Sequence, residues 1–177
     1  VYAGELDERQ DKRETHSSPN MPGFQKGLVN SSTTFDVLPD SACAILSDGG
    51  LYCWGDGYGY ALGTGNQSNS QLPVPAILPS GLTAEHVSLG GTYGHKCTRL
   101  SDDNAYCWGD SYSTGTAGTS YASIPTLVTL DSTVLLVESS EEHSCAILSN
   151  GSVQCWGDNY HGQLGVGYTC EYDVGDC

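Results

Sequence analysis

The chain has 177 residues, of which 38% are hydrophobic, 21 are acidic and only six are basic, for a formal charge of −15. That length supports one domain with a real core and the apolar content argues against global disorder, while so acidic a surface repels phosphate backbones and sets nucleic acid aside as a partner. No apolar run reaches the roughly 18 residues of a membrane helix, no signal-peptide core is visible, and a first residue of Val rather than Met reads as a processed or partial chain.

Residues 1–32 form a polar arm in which Arg9, Lys12, Arg13 and Lys26 hold four of the six basic residues. Glu5/Arg9 and Glu8/Lys12 stand at i,i+4, a spacing that adds only a few tenths of a kcal/mol per pair to a short helix. Without a partner surface such a helix does not persist, so the arm is expected to dock on a neighbouring subunit.

From about residue 33 to residue 167 a unit of roughly 50 residues occurs three times. Each begins with an apolar strand, at Phe35–Leu38, His86–Leu89 and Leu135–Glu138. Each continues with two cysteines ten positions apart around a turn signal, at Cys43/Cys53, Cys97/Cys107 and Cys145/Cys155, and closes on Trp-Gly-Asp. Between units run Leu72–Pro79 and Ile124–Leu130, whose prolines suit edge strands. The tryptophans at 54, 108 and 156 lie 54 and 48 residues apart, the spacing of propeller blades of four short strands. No stretch reads as a long helix, so the class is all-β. Residues 168–177 add Cys170 and Cys177, which bracket a segment short enough for a small disulfide loop, pairing of one of them between chains being the alternative.

The third unit, His143-Ser-Cys-Ala-Ile-Leu-Ser-Asn-Gly-Ser-Val-Gln-Cys-Trp-Gly-Asp-Asn-Tyr-His-Gly-Gln-Leu-Gly-Val-Gly167, resembles the repeat of the regulator of chromosome condensation family in a secreted, cysteine-bearing form. The first unit shares Cys43-Ala-Ile-Leu, Cys53-Trp-Gly and Leu62-Gly-Thr-Gly65; the second keeps His95-Lys-Cys97 and Cys107-Trp-Gly109. The resemblance implies propeller blades. That family builds seven-bladed rings and includes a nuclear exchange factor for a small GTPase, ubiquitin-ligase accessory domains and secreted inhibitors, so fold alone does not select an activity. About three repeats do not close such a ring, and the family's exchange-factor role sits poorly with the oxidising signature.

Three roles compete for the cysteines. In a hairpin centred on Asp48, Cys43 and Cys53 stand opposite each other within disulfide reach, and the same holds in the other two units. A metal site would need His95 and His143, but the first unit has Ser41 at that position, so the units share no ligand set. A nucleophile is disfavoured because the pattern occurs three times. The staple is the favoured reading, and it implies an oxidising compartment. The sequons at Asn30, Asn66 and Asn150 agree with secretion, and the Ser/Thr runs offer O-linked glycan positions.

By the same logic His95 and His143 read as structural, and Trp54, Trp108 and Trp156 as packing anchors between blades. The Asp-Gly and Asn-Gly pairs are explained by turns rather than calcium. No catalytic constellation or cofactor motif is present in the sequence, so no enzymatic activity is expected. The expectation is an extracellular structural glycoprotein that self-assembles through its arm and open blade edges; the alternative is a secreted propeller-type module that binds a protein or glycan.

Overall fold

The computed structural model describes residues 35–91, 95–110, 112–116 and 121–170. The arm residues Arg9, Lys12, Arg13 and Lys26, the sequon at Asn30, and Cys177 lie outside the described residues.

Alternating apolar residues and short turns give three antiparallel sheets. The first orders β1 (Phe35–Val37), β2 (Ser41–Ile45), β3 (Leu51–Gly55) and β4 (Ser70–Pro75) side by side. The second repeats this with β5 (Ala84–Leu89), β6 (His95–Leu100), β7 (Ala105–Asp110) and β8 (Tyr121–Leu127). The third comprises β9 (Val134–Ser139), β10 (His143–Leu148) and β11 (Val153–Gly157). Pro75 and Pro125, which cannot donate to a ladder, fall on the outer strands β4 and β8. The first two units form the expected four strands and their proline stretches become sheet edges, whereas the third has three strands among the described residues.

Register places each cysteine directly opposite its mate: Cys43 on Cys53, Cys97 on Cys107 and Cys145 on Cys155. All three pairs are disulfides, with Cα atoms 4.1, 4.1 and 4.0 Å apart, the close approach of a non-hydrogen-bonded antiparallel pair. The hairpin turns are held by one device used three times. Asp48, Asp102 and Asn150 each accept, through Oδ1, the backbone N–H of the residue two further on, from Gly50, Asn104 and Ser152. The residue between is left-handed, at φ 77° for Gly49, 59° for Asp103 and 85° for Gly151, a conformation that Gly adopts freely and Asp tolerates.

Each sheet has two faces of different character. One carries the disulfide and the other the tryptophan, because the two alternate along β3, β7 and β11. The disulfide face of one unit packs on the tryptophan face of the next. Cys43, Leu51 and Cys53 join Val87, Leu89, Tyr106 and Trp108 in one core, and Cys97, Ala105 and Cys107 join Val134, Val137 and Ala146 in a second, with Trp156 packed against it.

The strands β5 and β9 are tied across these seams. Leu89 N donates to Asp36 Oδ2 at 2.9 Å, and at the repeat-equivalent position Ser139 N donates to Ser88 Oγ at 2.9 Å. The turns join in, since Ala84 N donates to Gly49 O and Val134 N to Asp103 O. Trp108 is fully buried and donates from Nε1 to Ala61 O at 3.1 Å. It lies over the left-handed Gly63, where a Cβ would stand 3.2 Å from the indole nitrogen. Trp156 lies over Gly115 in the same way, with even less room.

Trp108→Ala is expected to cost about 3–5 kcal/mol in urea unfolding, because it opens a cavity at the first seam. Trp54→Ala, on the half-buried indole of the first unit, should cost markedly less. Equal losses would contradict the seam assignment.

Candidate functional site

Because the three units are equivalent, each residue of the two end units can be compared with a counterpart inside the seams. Val153, on the disulfide face of the third unit, is 60% exposed, whereas its counterparts Leu51 and Ala105 are 1% and 0% exposed. Its cross-strand neighbour Ile147 is also exposed, and Cys145 and Cys155 are only half-buried. At the other end Phe35 is 60% exposed, against 1% for Val87 and 0% for Val137 at the same register. Val37 is exposed beside it, and Trp54 lies on the same face.

The turns repeat this contrast. A Cβ on Gly49 would meet Thr83 of the next unit at 2.5 Å, while nothing among the described residues lies within 4 Å of one on Gly151. Gly63 and Gly115 sit under tryptophans, and Gly165, at the corresponding turn of the third unit, has nothing within 4 Å among the described residues. Among the described residues the first and third units thus each present an open apolar face, the two unlike, and each of the kind that mates with the other twice inside the chain.

The seams also contain polar groups that the repeat pattern did not reveal. His95 is fully buried and its Nε2 lies 2.5 Å from Ser144 Oγ, which donates onward to Ser139 Oγ at 3.0 Å. Among the described residues His95 Nδ1 has no hydrogen-bond partner. Burial, with Lys96 and His143 nearby, lowers the imidazole to a pKa of about 4. Lys96 is 1% exposed, opposite Trp108 on the tryptophan face of the second unit, with Nζ 3.3 Å from Gly91 O. Burial lowers it to about 8, and the carboxylates of Asp40 and Asp56 in the first unit work against that loss of charge. Alternation carried the signal for Lys96, which holds an inward position between His95 and Cys97. His86, at 6% exposure, has Nε2 2.9 Å from Val137 O and 3.3 Å from Glu138 Oε1.

On the open end of the third unit a cleft of about 500 Å³ is lined by Glu141, Glu142, His143, Asp158, Tyr160 and Gln163, among others. Here His143, the counterpart of buried His95, is half-buried. No group of three or more His, Cys, Asp or Glu placed to hold a metal occurs among the described residues.

The remaining sequence candidates disperse. Asn66 and Asn150 are exposed, each with Oδ1 accepting a backbone N–H two residues on. Cys170 is disulfide-bonded. No helix among the described residues is long and apolar enough to cross a membrane.

Residues 48–94 and 134–163 match the regulator of chromosome condensation (RCC1) repeat, and the chain resembles that family. A stretch of 65 residues, 37% of the chain, is 37% identical to the X-linked retinitis pigmentosa GTPase regulator homolog of Caenorhabditis elegans, of which it spans 4%. Human WBSCR16 has a similar fold, with a TM-score of 0.68 and 17% identity over 88% of this chain and 39% of that one. So does Prp20p of Saccharomyces cerevisiae, described with its binding to Gsp1p and histones, with a TM-score of 0.63 and 19% identity over 73% of this chain and 34% of that one. At these identities the likeness to the solved structures is one of fold, an all-β propeller type. The chain spans less than half the length of each of these relatives.

The His95 environment sets a pH dependence. Its folded pKa of about 4 lies below its ordinary 6.5, so the unfolded chain binds the proton first. The stabilisation is complete above pH 6.5 and is lost as the pH falls from 6.5 towards 4, by up to about 3 kcal/mol. Urea midpoints measured across that window should fall more steeply for the wild type than for His95→Gln. Parallel curves would show that this imidazole is not the group responsible.

Proposed function

We propose that the chain is an extracellular structural glycoprotein whose copies associate head to tail, the disulfide face of one copy's third unit receiving the tryptophan face of the next copy's first unit. One observation carries this reading: Val153 and Phe35 are each 60% exposed at positions that are buried wherever the same two faces meet inside the chain. A contact between unlike faces is heterologous, so it adds copies one after another until the rotation closes a ring or, failing that, makes a filament.

The three disulfides suit an oxidising compartment. Asn66 and Asn150 stand on exposed turns. The work assigned to the protein is adhesion rather than chemistry.

A second reading, a module that captures a protein ligand, draws on the cleft of the third unit and on the protein binding named for Prp20p. It predicts a monodisperse particle and a saturable partner in place of assembly.

Sedimentation velocity of the full chain over a range of concentrations separates the two. Ile147→Glu with Val153→Glu should weaken association at least about tenfold, since each charge would be buried in an apolar contact. Phe35→Glu with Val37→Glu should do the same. Mixing the two variants should give one-to-one complexes, because each retains one intact face. A wild-type chain that stays monomeric at every concentration would overturn the proposal.

A further inference from the structure

The cleft at the open end of the third unit has a counterpart inside the chain. Asp158 N donates to Glu142 O at 2.8 Å and Asp56 N to Asp40 O at 2.9 Å, and Gly157 and Gly55 crowd the same two carbonyls. Glu142 and Asp158 in the third unit therefore hold the positions of Asp40 and Asp56 in the first. The charges of that first pair act on a cation buried in the adjoining seam, Lys96 of the following unit, and favour its charged form against burial. The second pair borders a cleft large enough for a long basic side chain.

The docking described above does not by itself bring a cation there. Lys96 stands opposite Trp108, and the residue opposite Trp54 in the first unit is Ala42. An arriving tryptophan face would present a methyl group where the inner seam presents an ammonium.

From Phe35 onward the sequence has sixteen acidic residues and two basic ones. Of those two, Lys96 is buried in the first seam, and Arg99 pairs with Glu85 and Asp103 at 2.7 Å each. The other four cations are all in the arm. Lys26 precedes Phe35 by nine residues, a length of chain that reaches at most about 30 Å. Phe35 itself sits on the docking face, so in an end-to-end contact the arm begins at the seam.

We infer that the cleft bounded by Glu141, Glu142 and Asp158 binds a basic side chain from residues 1–26 of the next copy. This inference rests on the head-to-tail association proposed above and names what completes it. The apolar faces supply area. The arm supplies the charge that Lys96 supplies at the inner seam.

Charge reversal tests it on the full chain. Glu141→Lys with Glu142→Lys leaves the backbone bonds of Glu142 and the turn made by Asp158 in place; thermal melting confirms that the fold survives. This variant, and separately Arg9→Glu with Lys12→Glu, Arg13→Glu and Lys26→Glu, should each weaken association at least about tenfold in sedimentation, and wild-type association should weaken with added salt. Mixing the two reversed variants should restore assembly, because the basic cleft of one accepts the acidic arm of the other.

If association persists unchanged in both charge variants and still fails in the Ile147→Glu, Val153→Glu chain, the cleft inference falls and the end-face reading stands. If the wild type does not associate at all, both fall together. Loss in each variant without recovery in the mixture overturns the pairing of cleft with arm.

Discussion

A four-stranded sheet of this sequence has two apolar faces and can cover neither of them itself. One face carries a disulfide and the row from Leu51 to Cys53; the other carries a tryptophan and the row from Val87 to Leu89. The rest of the fold follows from how these faces are satisfied. The turns are short because each must reach the first strand of the next unit, and Gly63 and Gly115 are where they are because an indole lies on them. The polar links at Asp36 and Ser88 close the backbone groups that the seam would otherwise strand without water.

The two seams differ in their polar content although their apolar content is alike. The first encloses a lysine with two carboxylates acting on it. The second encloses the His95–Ser144–Ser139 chain, in which serine stands at the register position of that lysine. Buried polar groups of different kinds at one repeat position make the seams non-interchangeable: a unit slipped by one repeat would set Lys96 against His95 and leave the acids of the first unit unpaired. In the proposed head-to-tail contact the same chemistry would bear on partner choice, through the charge that lines the third unit's cleft.

Much of this was legible in the sequence. Ten-residue cysteine spacing around an Asx turn fixed the hairpin and its register, since only opposed positions bring two Cβ atoms within bonding distance. Proline placement marked β4 and β8 as edges. The periodic Trp-Gly identified the packing residue but not its state: Trp54, Trp108 and Trp156 are alike in sequence, and their exposure differs because burial depends on the neighbouring unit. Lys96 was the least legible residue. Hydropathy assigns lysine to the surface, and only the strict alternation through Cys97 places it inward, where the carboxylates of Asp40 and Asp56, both distant in sequence, offset part of the cost. The kinship of Asp40 with Glu142 was hidden for another reason, because the residues differ and the bond that equates them is made by backbone.

Each disulfide lies within one hairpin and none among the described residues joins one unit to another. Under tension the two kinds of contact would respond differently. Each cystine removes the chain between positions ten residues apart from the extensible length, about 30 Å per unit, while the seams among the described residues are held by non-covalent contacts. A strand of such units would lengthen in steps as seams part, with every hairpin still closed and in register to re-form its contact once the load is released. Resistance to stretching and capacity to heal would thus be assigned to different bonds.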